Sequence, residues 1–369
     1  MTRIKKQSGR NGKIEFLRFV FCIIIAVFHG KSAMTDDQYH IMYSGRIGVE
    51  FYFLVSGYFM AAAAEKVLLR NPEFHLGDEC SRYLLRKYQS MYPMVFLAFF
   101  MNIFVRGLLS NYTLMKYAKR ILNCLPSLFL IQQTGLHISS INGFWYLSSM
   151  LIAMAVLYPL LLRHNRIMKR VGTFMIGIML LGYLMLTTND LSVRGKLEAD
   201  LLINRNIRAI AVMSMGAFSY EMVKLLSAVP FNRNGRVAIT LTEAALYIIA
   251  VSYMMFLKGS KYDYYIVFVL WVAVTLSFSN VPLFSNLFNN RLCYFLGKFS
   301  FYVYLSHSCF ALDLTPIIGP SWGNKARMIV FLLLAFFMSG ILWILSNFTT
   351  RMLHKAKYLF ISPIPEQTH

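Results

Sequence analysis

The sequence predicts an all-α fold: a polytopic membrane helical bundle of about ten transmembrane helices. Three observations carry this reading. Hydrophobic residues make up 57% of the 369 and the mean hydropathy is +0.53, more apolar than a soluble chain of this length. Apolar runs long enough to cross a hydrocarbon core recur from one end to the other. The basic residues behind the net charge of +21 collect in short loops between those runs. There they fix topology and meet anionic lipid, so the charge points to membrane lipid as a partner and away from nucleic acid. The five cysteines (Cys22, Cys80, Cys124, Cys293, Cys309) are scattered, without CxxC spacing, which argues against a disulfide framework and against a zinc or other metal site.

The first span is expected over 14–33, after the basic start MTRIKKQSGRNGK. No small-residue cleavage site follows it, so it reads as a retained helix. A short outer loop (Met34–Arg46) leads to a second span over 47–64, and a basic loop with Lys66, Arg70, Arg82, Arg86 and Lys87 leads to a third over 89–108. The region 109–142 is mixed. Span four is expected over 143–163, then the basic loop RHNRIMKR, then spans over 172–188, 206–226, 237–257, 263–281, 294–313 and 327–348, and a basic tail. The doubtful stretch is the apolar run 122–131, about ten residues before Gln132 and Gln133, short for a crossing. As an eleventh span it would send RHNRIMKR and the tail outside, against the positive-inside rule. It is therefore expected to be an interfacial or re-entrant segment, with both chain termini cytoplasmic. No polar stretch is long enough for a separate soluble domain, so 1–369 reads as one transmembrane domain with short cytoplasmic tails.

Polar groups inside apolar spans are costly and mark function or pairing. Span one carries Glu15, Arg18 and His29. Arg18 and His29 come round to within about 20° of each other at 100° per residue, and Glu15 sits three residues before Arg18. One polar face therefore runs along the helix, with Arg18 and His29 about 16 Å apart on its axis. In span two, Glu50, Gly57, Ala61 and Ala64 recur at helical spacing. Small residues there suit close helix contact, and Glu50 fits the outer end near the headgroups. Before span three, Arg82, Arg86 and Lys87 alternate with Tyr83, Tyr88 and Tyr92, which fits either membrane anchoring or a cytosolic polyphosphate ligand. Span nine presents Gly297, Ser300, Tyr304, His307 and Ala311 on one face, suited to facing other helices or a cavity. Trp145 and Tyr146 open span four as interfacial aromatics would.

Together these residues resemble the acyltransferase-3 family of membrane acyltransferases. Arg18, ten residues and His29 resemble its Arg-x10-His signature. VEFYFLVSGYFM, with Tyr52, Phe53, Ser56, Gly57 and Tyr58, is similar to its Phe-Phe-x-x-Ser-Gly-Phe segment. FWYLSSMLIAMAVLYPLL resembles its Trp-aromatic-Leu…Tyr-Pro helix, and LGKFSFYVYLSH its Gly-x-x-Ser…Tyr-Leu-x-His element. The family's second arginine before span three has Gln89 or Ser90 in its place here, leaving Arg82, Arg86 and Lys87 as candidate charges.

The resemblance implies transfer of an acyl group, usually acetyl, from cytosolic acyl-CoA to a hydroxyl of a cell-surface or lipid-linked carbohydrate, such as an exopolysaccharide. On that reading His29, Arg18 and Glu15 form the catalytic set. Arg82, Arg86, Lys87 and Tyr92 contact acyl-CoA, and Glu50, Ser56, Gly57, Trp145, Tyr304 and His307 complete the site. An imidazole with pKa near 6.5 suits proton acceptance from a hydroxyl, and a transient acyl-histidine is the other route. The same intramembrane charges would also serve a flippase for a lipid-linked sugar, or a non-catalytic membrane module on the same frame.

Overall fold

The computed structural model describes residues 11–34, 41–70, 73–136, 139–163, 171–193, 198–311, 314–319 and 321–360. Among them there is no strand. Residues 1–10 of the basic start, 35–40 of the Met34–Arg46 loop, RHNRIMKR beyond Arg163 and the end of the tail lie outside the described residues.

The helices run α1 Gly12–His29, α2 Gly48–Arg70, α3 Leu76–Leu109, α4 Leu114–Leu128, α5 Phe144–Arg163 and α6 Thr173–Thr187. They continue with α7 Glu198–Ala228, α8 Arg233–Phe256, α9 Tyr262–Phe278, α10 Arg291–Ser306, α11 Thr315–Ile318 and α12 Asn324–Phe360. Each of the ten expected spans has a helix over it. Six of these (α2, α3, α5, α7, α8, α12) are long and apolar enough to cross a membrane by themselves. The fold is an all-α membrane helical bundle. α1, α6, α9 and α10 are shorter, and α1 opens with Lys13, Glu15 and Arg18. Asn11 caps α1, its side-chain oxygen accepting from the amides of Lys13 and Ile14 at 3.0 and 3.3 Å. α3 begins thirteen residues before the expected span, so the basic segment 82–87 is helical and continuous with the crossing.

The run 122–131 contributes to α4, a fifteen-residue amphipathic helix about 22 Å long. It does not add a crossing. Asn102 near the end of α3 donates to the Leu305 carbonyl at 3.1 Å, and Tyr304 donates to the carbonyl of Gly143, just before α5. α3 therefore ends, and α5 begins, at the same end of the bundle, the one that holds His29. At the opposite end, Tyr83 of α3 stacks on Tyr158 of α5 at 3.8 Å.

Helix α2 lies inside the bundle, against α1, α5, α7 and α9. Its closest approach is to α7 at Gly57, where a Cβ would run into the Met213 carbonyl. Glu50 sits in the first turn of α2, fully buried, and not among headgroups. It pairs with Arg208 of α7, which also donates to the Leu191 carbonyl at 2.7 Å. A charge in this interior is tolerable only with its partner, which explains why two charges sit in two apolar helices. Lys13 and Glu243 of α8 form a second buried pair at 2.9 Å, with Ser277 of α9 donating to the same carboxylate.

Removing one partner of the Glu50–Arg208 pair leaves the other charged and buried. Glu50→Ala should therefore cost about 3–5 kcal/mol, while the double replacement Glu50→Leu with Arg208→Met should recover most of it. Thermal melting of the detergent-solubilised proteins checks both. Equal loss in the single and double variants would contradict the account. Gly57→Leu should lower the folded yield through the Met213 clash, read by size-exclusion chromatography.

Candidate functional site

α1 packs along α10, and three contacts fix its register. Gly297 lies under Glu15, where a Cβ would strike the carboxylate. Cys22 donates from Sγ to the Ser300 carbonyl at 3.1 Å. At the far end the His29 ring lies 5.3 Å from the His307 ring. The small and polar stripe on α10 thus faces α1. Glu15 is buried and accepts from Arg18 at 3.3 Å, so it orients the guanidinium without lining a cavity itself.

Two cavities open against this helix pair. The first, of about 440 Å³, is lined by Arg18, Lys87, Ser90, Lys298, Ser346 and Asn347, with Tyr52, Ser56 and Met150 deeper in. Three cations therefore converge on one space from α1, α3 and α10. Arg18 is half-buried, and its Nε is buried without a hydrogen-bond partner among the described residues. Such a donor is costly unless something accepts from it. Of the expected donor-binding residues, only Lys87 reaches this cavity. Arg82 is exposed and pairs with Glu79, and Arg86 is exposed and donates to the Arg82 carbonyl at 3.1 Å. Tyr92 stacks on Tyr88 at 5.2 Å and also lies off the lining. The reason is helical phase: Lys87 is one residue beyond Arg86, about 100° round the helix.

The second cavity, of about 620 Å³, is lined by His29, His307, Trp145, Arg205, Arg208 and Asp190, with further cations at its rim. His307 is buried, with Nδ1 3.2 Å from the Val303 carbonyl. A carbonyl only accepts, so Nδ1 carries the proton and Nε2 keeps a lone pair. Arg205 lies over the Trp145 ring at 4.9 Å. Arg46 is held between Asp190 and Asp263 at 3.0 and 2.9 Å.

The cavities share Val49 and Tyr304. Around Tyr304 stand Tyr146 and Tyr52, ring centres 5.7 and 6.4 Å away. Tyr304 donates to the Gly143 carbonyl, Tyr52 donates to the Arg18 carbonyl, and the Tyr146 hydroxyl lies 3.3 Å from Ser56 Oγ. Tyr304 and Val49 thus stand between the cavities, with Tyr52 and Tyr146 beside Tyr304 on the wall of the smaller one, each phenol anchored by its hydroxyl. Gly57 and Glu50 stand outside both linings as packing and pairing residues.

Sequence reasoning missed Lys298, Arg46, Arg205, Arg208 and Asp190. Arg208 carried a signal: it is a charge within an expected span, as Glu50 is. Lys298 also lies within an expected span, one residue after a singled-out glycine. Among the described residues, no three His, Cys, Asp or Glu side chains converge as metal ligands would.

The arrangement therefore offers a cationic cavity and an imidazole-bearing cavity, back to back on one helix pair. No curated protein and no solved structure matches the chain significantly. The acyltransferase-3 model, described as an acyltransferase domain, matches residues 11–349. That match spans α1 to α12 and covers both cavities, so the chain belongs to the acyltransferase-3 family and is a multi-pass membrane acyltransferase.

Proposed function

We propose that this acyltransferase moves an acyl group, acetyl in the first instance, from cytosolic acyl-CoA to a hydroxyl of a cell-surface or lipid-linked carbohydrate. One observation carries the reading: α1 delivers Arg18 to one cavity and His29 to the other. With the positive-inside rule placing both termini in the cytoplasm of a cell-membrane protein, the Arg18 cavity opens to the cytosol and the His29 cavity outward.

Arg18, Lys87 and Lys298 suit the phosphates of CoA, and Ser90 and Asn347 add neutral hydrogen-bonding groups. The thin pantetheine arm would run toward Tyr52, Tyr146 and Tyr304, bringing the thioester to the partition beside His29 and His307. The acceptor oxygen attacks the thioester carbonyl carbon while His29 takes the hydroxyl proton. Collapse of the tetrahedral adduct breaks the carbon–sulfur bond, and His29 returns the proton to the departing sulfur. The products are an acyl ester and free CoA, with His29 neutral again. His307, its Nδ1–H committed to Val303, presents a lone pair toward the same cavity and positions the reacting groups.

Labelled acetyl-CoA supplied to membranes tests the reading. His29→Ala should lower transfer by about 10²–10⁴-fold, the usual contribution of a general base. Full activity in that variant would sink the assignment. Lys298→Ala should raise the KM for acetyl-CoA about tenfold with kcat little changed, as expected for one charge-assisted contact to a phosphate. An unchanged KM would remove Lys298 from the donor site.

A further inference from the structure

We propose that the acceptor is anionic: the glycan offering its hydroxyl to His29 carries a carboxylate or phosphate group close to the acylated sugar. This deepens the acyltransferase reading and rests on it.

The outer cavity is lined by five cationic side chains, Lys31, Arg46, Arg205, Arg208 and Lys258, and by one carboxylate, Asp190. The buried carboxylates behind them, Glu50 and Asp263, are each taken by Arg208 and Arg46 respectively. Arg46 also pairs with Asp190, so among the described residues the positive excess rests on Lys31 and Lys258. Lys31 and Lys258 are exposed and form no ion pair among the described residues. Topology does not account for these charges. On the orientation proposed above they lie on the outer side, where the positive-inside rule disfavours lysine and arginine near helix ends.

The cationic wall is also built rather than loose. Gly259 closes over the Arg46 guanidinium so tightly that a Cβ there would collide with it. The Ser260 amide donates to Asp263 at 3.3 Å, in the same network. The chain carrying Lys258 is thereby tied to the Arg46–Asp263 pair, and Lys258 stands at the cavity edge. Arg46 Nε is buried without a hydrogen-bond partner among the described residues, a further donor on this side.

A second cationic recess adjoins in sequence. Asn142 and Ser308, each next to a residue of the main cavity, wall a small space with Arg106 and Arg120. At about 40 Å³ it admits little more than a water or two, so it is not a second sugar pocket. A neutral sugar would leave Lys31 and Lys258 without a charged partner among the described residues. A sugar acid or phosphate would meet them with charge-assisted hydrogen bonds. The negative charge could belong to the sugar itself or to a lipid pyrophosphate bearing it.

The test uses membranes containing the full chain and labelled acetyl-CoA. The labelled product is run on an anion exchanger before and after mild acid, which cleaves glycosyl pyrophosphates. Chain-dependent label should bind the exchanger. Label that still binds after acid identifies a charged sugar, and label that binds only before acid identifies a lipid pyrophosphate. The double replacement Lys31→Glu with Lys258→Glu should lower transfer into that product at least tenfold, while Lys31→Arg with Lys258→Arg should keep it within about twofold, the charge being retained. Chain-dependent label in the unbound fraction would overturn the anionic acceptor and leave the acyltransferase reading standing. Equal loss in the Glu and Arg variants, at normal detergent elution, would also overturn it, because shape and not charge would then be read. Absence of any chain-dependent label would remove both readings together.

Discussion

The register of α1 on α10 is the constraint from which the rest of the site follows. A glycine under Glu15, a thiol donating to a backbone carbonyl and two imidazoles 5.3 Å apart fix one helix against the other at three heights. A slide of one residue would carry Glu15 off Gly297 and swing both Arg18 and His29 by about 100°. Each cavity would then lose a defining side chain. The polar face of α1 works because its partner offers a matching stripe: small where α1 is bulky and polar where α1 carries histidine.

Ion pairs do a similar job elsewhere in the bundle. Glu50–Arg208 joins α2 to α7, Lys13–Glu243 joins α1 to α8, and Arg46 bridges the α2 entry to α9. Each member alone would be an unsatisfied charge within or beside apolar helices. Wrong pairings of these helices therefore carry a large penalty, and the native one has its charges matched. This suits a bundle in which apolar contact alone discriminates weakly, because lipid tails are as apolar as the helices.

Much of this was legible in the sequence, and the limits have physical causes. The helices over the ten expected spans were legible from hydropathy, although only six of them are long and apolar enough to cross a membrane by themselves. The Arg18–His29 face follows from helical period within one segment. What the sequence did not yield is the pairing between segments. Glu50 looked like a headgroup-level residue because its partner Arg208 lies 158 positions away. Arg82 and Arg86 looked equivalent to Lys87 because composition carries no phase relative to a cavity. Lys298 was passed over beside Gly297, although the two fall on different sides of α10: one under α1, the other at the mouth of the cationic cavity.

Tyr304 belongs to the walls of both cavities. In a membrane this makes the partition one phenol ring thick at that point, with a cavity on either side. The protein therefore has to act as an electrical insulator as well as an acyltransferase. On the proposed reading, only a small acyl group has to pass the ring, and neither the bulky CoA nor the glycan crosses. The hydroxyl anchors of Tyr304, Tyr52 and Tyr146 then have a second role. They keep the thinnest part of the barrier closed to protons and ions while leaving it narrow enough for chemistry to reach across.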